Sequence, residues 1–117
     1  MHTLFLFVFQ QASIHIVEEV ISEIDEISGE FGCNPTLIIK STCPPGTVEM
    51  INDKTAYCDV MFSPEFLTEA NAVEDFKNQT RVIIGTCENA DASPVEKMFR
   101  HVFPNMTIKV VDVKEAE

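Results

Sequence analysis

Glycine is scarce in this 117-residue sequence: there are four, and Gly29, Gly32, Gly46 and Gly85 nowhere approach the spacing GxGxxG. The chain therefore carries no pyrophosphate-binding turn of its own. Basic residues are scarce too, eight Lys and Arg against nineteen Asp and Glu, and the net charge of −11 repels phosphate backbones and anionic headgroups. Nucleic acid and membrane surfaces are thus not expected as partners. A small nucleotide remains possible, because oriented backbone N–H groups hold a phosphate even inside an acidic protein.

Paired cysteines are also lacking. Cys33, Cys43, Cys58 and Cys87 form no CxxC and no ligand cluster with the three histidines, so no metal is expected. They read as reduced thiols packed in the core of a cytoplasmic protein, although an even count also permits disulfides. No apolar run is long enough to span a bilayer. The opening MHTLFLFVFQ lacks the basic start and small-residue cleavage site of a signal peptide, and Leu4–Phe9 reads as a buried strand.

What is present is an ordinary globular balance, 45% hydrophobic and 23% charged, enough for one ordered domain. Ile14, Val17, Val20, Ile21, Ile24 and Ile27 recur at helical spacing, with Ser13 as cap and Ser28-Gly29 as the stop. Glu18, Glu19, Glu23, Asp25 and Glu26 form the solvated face, and His15 is expected to pack. Leu37–Ile39 and Cys58–Phe62 read as short buried strands, with a helix from Thr47 to Asp53 between them. A short helix precedes the strand Arg81–Gly85. Ser93-Pro94-Val95-Glu96 opens a further helix, ended by Pro104-Asn105 before a last strand, Thr107–Val111. Residues 112–117 look like the first turn of a helix whose body is missing, which suggests a truncated protein.

Strands separated by helical crossovers predict an α/β fold, a partial doubly wound, Rossmann-like and mostly parallel sheet with helices on both faces. Ligands in such sheets sit beyond the carboxyl ends of strands. The informative positions are therefore Lys40-Ser41-Thr42, Ser63-Pro64-Glu65 and Gly85-Thr86. Taken alone, Glu65 and Glu69 are solvated carboxylates and Thr42 is a turn cap.

Lys40-Ser41-Thr42-Cys43-Pro44-Pro45-Gly46-Thr47, then Ser63-Pro64-Glu65-Phe66-Leu67 with Glu69, Ala72, Asp75 and Arg81–Gly85, resembles the UDP-glucose/GDP-mannose dehydrogenase family. The resemblance spans about residues 14–117, and it points to the branch that oxidises UDP-glucose. It implies NAD-dependent oxidation of the C6 alcohol of a nucleotide sugar to a carboxylate, here UDP-glucose to UDP-glucuronate, through a cysteine-bound thiohemiacetal and thioester. By that resemblance Thr42 and Glu65 are catalytic, Thr42 holding a water and Glu65 acting as general base in thioester hydrolysis. Ser41, Thr42, Cys43 and Glu69 would lie near NAD. Glu65, Phe66, Leu67, Thr68 and Glu69 would contact the sugar. A carboxylate takes a proton from attacking water and a threonine hydroxyl donates and accepts at once, so the residue types suit those roles.

The sequence departs from the family pattern in lacking GxGxxG and the family's Gly-rich nucleophilic cysteine segment. Residues 1–117 are accordingly expected to be the second half of an NAD-binding domain, without the GxGxxG half and without the downstream nucleotide-sugar domain. Such a fragment is expected to be inactive alone and to form homo-oligomers or self-associate through an unpaired strand edge. The alternative is a non-catalytic acidic α/β binding or assembly module derived from the same fold.

Overall fold

The computed structural model describes residues 14–64, 70–88 and 90–117. Among the described residues five helices and four strands alternate: α1 (Ile14–Phe31), β1 (Thr36–Ile39), α2 (Thr47–Lys54), β2 (Asp59–Phe62), α3 (Ala72–Lys77), β3 (Arg81–Thr86), α4 (Ser93–Val102), β4 (Thr107–Asp112) and α5 (Val113–Ala116). The strand expected at Leu4–Phe9 and the cap expected at Ser13 lie outside the described residues.

The strands form one sheet in the order β1-β2-β3-β4. Within it β1 and β2 are parallel, with Ile39 opposite Phe62, and β3 and β4 are parallel, with Arg81 opposite Thr107. The two pairs meet antiparallel at Phe62 and Gly85. The α/β class and parallel pairing hold, and the sheet is mixed. Gly85 stands opposite Phe62, the last residue of β2, so the Gly85-Thr86 position lies beside that carboxyl end although β3 runs in the opposite direction.

Strand alternation divides the core between two faces. Leu37, Ile39, Val60 and Phe62 pack on one face with Val17 and Ile21 of α1, Val48 and Ile51 of α2, and Val113 of α5. Ile38, Met61, Val82 and Ile84 pack on the other with Val95 and Phe99 of α4. Helices therefore cover both faces, and β1 is buried along its whole length because each of its four residues points into one layer or the other. Phe76 of α3 meets Phe103 edge to face at 5.5 Å, joining the second layer.

The first helix runs past the expected stop at Ser28-Gly29. It ends at Gly32, whose φ of +66° is the left-handed conformation of a helix terminus, with Cys33 N–H donating to the Ser28 carbonyl. Gly29 serves another purpose: a Cβ there would run into the Tyr57 ring. His15, expected to pack, is exposed. Asp25, expected on the solvated face, accepts hydrogen bonds from three successive backbone N–H groups, Ala56 at 3.0 Å, Tyr57 at 2.9 Å and Cys58 at 3.0 Å. It fastens α1 to the turn that leads into β2.

Candidate functional site

Parallel pairing of β1 and β2 carries both motif-bearing strand ends to one edge of the sheet. The chain leaves β1 at Lys40 and β2 at Ser63, and the Ser63 N–H still donates to the Ile39 carbonyl at 3.0 Å. Lys40 is 4% exposed and Ser63 fully buried, and Lys40 Nζ donates to Ser63 Oγ at 3.3 Å. The lysine also lies over the Phe99 ring, 5.9 Å from its centroid. A buried polar side chain is costly unless hydrogen-bonded, so this contact fixes the two strand ends against each other.

Beyond Lys40 the backbone turns, leaving Ser41 buried and Thr42 exposed at the edge. Cys43 turns inward to the layer of Val48 and Ile51, its Sγ donating to the Ser41 carbonyl at 3.4 Å. Pro44 and Pro45 lack N–H groups, and Gly46, at φ +88°, closes the loop before α2. Ser41, Thr42 and Cys43 are thus three consecutive residues at the edge that Ser63-Pro64 also reaches. Glu65, Phe66, Leu67, Thr68 and Glu69 follow Pro64 directly and lie outside the described residues.

The N-terminus of α2 is held by a residue that sequence reasoning missed. Gly46 has no side chain to cap the helix, and the Glu117 carboxylate accepts from the Gly46 N–H and, at 2.9 Å, from the Val48 N–H. A sequence separation this large leaves no local pattern to read. The only available signal was the absence of a capping side chain after two prolines.

The thiols of Cys43, Cys58 and Cys87 are not activated. Burial, helped by the nearby Glu117 charge, raises the Cys43 pKa, and burial pushes Cys58 and Cys87 up to about 11. All four cysteines are free. Among the described residues no group of three or more His, Cys, Asp or Glu could hold a metal ion, and no helix is long and apolar enough to cross a membrane.

A sheet of parallel strand pairs covered by helices on both faces is a Rossmann-like α/β domain, and the two motif-bearing strand ends share one of its edges. The description "UDP-glucose/GDP-mannose dehydrogenase family, NAD binding domain" matches residues 9–103, and the chain belongs to that family. It is 34% identical over 107 residues to the UDP-glucose 6-dehydrogenase of Campylobacter jejuni, covering 86% of this chain and 25% of that protein. To the UDP-glucose 6-dehydrogenase of Rickettsia bellii it is 31% identical over 103 residues, 84% of this chain and 24% of that one. The chain thus spans about a quarter of the length of these curated relatives. Its fold matches a UDP-glucose dehydrogenase from Pyrobaculum islandicum with a TM-score of 0.74 at 24% identity, covering 96% of this chain and 29% of that one. A ternary complex of GDP-mannose dehydrogenase from Pseudomonas aeruginosa gives a TM-score of 0.70 at 21% identity, covering 96% of this chain and 29% of that one.

Proposed function

We propose that this chain supplies the Thr42 and Glu65 side of the active site of an NAD-dependent nucleotide-sugar dehydrogenase, with UDP-glucose as substrate, and that it is inactive by itself. The observation that carries the reading is the parallel register of β1 and β2. It sets Ser41-Thr42 and Ser63-Pro64, the starts of the two motifs, at one sheet edge.

The edge suits the nicotinamide end of the cofactor and not its pyrophosphate. Thr42 is exposed there to orient a polar group, and Ser41 and Cys43 support the backbone beneath it. No Gly-rich turn exists in the sequence to cradle the pyrophosphate. When bound, NAD supplies the hydride acceptor for the oxidation.

Thr42 would hold the water and Glu65 would take its proton as the thioester is hydrolysed, a transfer that needs the two groups within hydrogen-bond reach or one water apart. Glu69 and the Phe66-Leu67-Thr68 segment would line the sugar. The covalent step needs a thiolate nucleophile, and burial disfavours that state at Cys43, Cys58 and Cys87. That gap is one reason the chain is expected to be inactive, and the missing pyrophosphate turn is the other. The test is NADH absorbance with UDP-glucose and NAD. The isolated chain is expected to give background only, and a rate above background that Glu65→Gln abolishes would overturn the inactivity.

A further inference from the structure

We infer that Glu117 is a positioning residue for the ligand edge: its carboxylate clamps the N-terminus of α2 and thereby sets the loop that carries Thr42. The inference rests on the reading of Thr42 as a site residue. After Pro44 and Pro45, Thr47 N–H donates to the Pro44 carbonyl at 3.2 Å and Met50 N–H to the Gly46 carbonyl at 3.1 Å. The Gly46 and Val48 N–H groups go to the two oxygens of Glu117. A carboxylate accepting from two amides at a helix N-terminus is favoured by its charge and by the helix dipole together.

Glu117 reaches that position because α5 is seated tightly. Asp112 caps α5, its Oδ1 accepting from the Lys114 N–H at 2.9 Å, and Val113 is buried against the layer shared with α2. At Gly85 of β3 an added Cβ would lie 2.6 Å from Ala116 Cβ and 3.1 Å from Val113 Cα, so the missing side chain lets α5 approach the sheet. Lys114 reaches Glu49 of α2 at 3.5 Å across the same junction. The path is continuous: Gly85 admits α5, α5 presents Glu117, and Glu117 holds Gly46 and Val48, four residues after Thr42 and beyond.

Nuclear magnetic resonance on the isotopically labelled chain tests this with three variants. Glu117→Gln keeps the size and loses the charge and one acceptor. Glu117→Ala removes the side chain, and Glu115→Ala changes the same helix by the same charge at an exposed position. The clamp predicts that Glu117→Gln and Glu117→Ala speed amide exchange at Gly46 and Val48 by about tenfold and shift the Thr42 signals, while Val60 and Ile84 follow global stability. Glu115→Ala should leave Gly46, Val48 and Thr42 as in the unsubstituted chain. If Glu117→Gln matches the unsubstituted chain at those three residues, or Glu115→Ala does as much as Glu117→Ala, the clamp is refuted. Should Glu117→Ala prove unfolded, Glu117→Gln alone decides. NADH formation by a full-length relative carrying this chain in place of its matched segment separates the two readings: a rate untouched by Thr42→Val removes the site assignment and leaves the clamp to its own outcome.

Discussion

Lys40 Nζ and Ser63 Oγ meet at 3.3 Å in a region closed to solvent, and through them the end of β1 is fastened to the end of β2 where the two motifs begin. Lys40→Met keeps the stem and removes the donor, leaving the Ser63 hydroxyl without it. A loss of about 1–3 kcal/mol is expected, read as a lower urea midpoint with unchanged slope. An unchanged midpoint would mean that the contact contributes nothing to the edge.

Asp25 gives a pH-dependent prediction. Burial alone would raise its pKa, yet the N–H groups of Ala56, Tyr57 and Cys58 hold it below the ordinary 3.8. A depressed carboxylate stabilises the fold above the unfolded-state value and loses that contribution as pH falls through its lower folded value. Asp25→Asn should therefore cost about 1–2 kcal/mol at neutral pH, and its melting curve should converge on that of the unsubstituted protein below 3.8. A gap that persists at acid pH would assign the effect to shape and not to charge.

Two glycine-to-alanine changes should differ although both meet a neighbour. At Gly85 the obstacles are Ala116 Cβ and the Val113 backbone, which cannot step aside, so Gly85→Ala should cost about 1–3 kcal/mol. At Gly29 the obstacle is the Tyr57 ring, 46% exposed and free to swing outward, while alanine gains up to about 1 kcal/mol of helix propensity. Gly29→Ala should be nearly neutral. Thermal melts of the pair check the contrast, and equal losses would contradict it.

Much of the architecture was legible because short apolar runs, capping residues and proline positions are local signals. Direction was not. Arg81–Thr86 announces a strand by its composition, but periodicity is blind to orientation, so the reversal that makes the sheet mixed could be seen only in the pairing of Phe62 with Gly85. Asp25 and Gly29 were misread for a related reason: both answer to the turn at residues 55–58, far away in sequence, where Asp25 binds backbone and Tyr57 covers Gly29. Ser41, Thr42 and Cys43 are candidates through motif resemblance, Ser41 and Thr42 also by their place just after an apolar strand, and no periodicity singles them out. Glu117 was invisible because its partners lie on another element.

Exposed apolar residues on α1 predict self-association. Ile16, Ile27 and Phe31 recur at helical spacing and are 55%, 52% and 78% exposed, forming a stripe beside the buried one of Val17 and Ile21. Sedimentation velocity at micromolar concentration should show species heavier than a monomer, reduced by Ile27→Ser with Phe31→Ser. A monodisperse monomer would contradict this expectation.

If this chain furnishes a working Thr42 and Glu65 edge to a nucleotide-sugar dehydrogenase, it should do so when transplanted into a full-length relative. The measurement is the rate of NADH formation from UDP-glucose by the Campylobacter jejuni relative carrying this chain in place of its matched segment, with and without Glu65→Gln. Substrate-dependent NADH formation is expected, falling by about 10²–10⁴ on the substitution, the contribution of a positioned general base. A folded chimera that forms no NADH, or whose rate is untouched by Glu65→Gln, would contradict it.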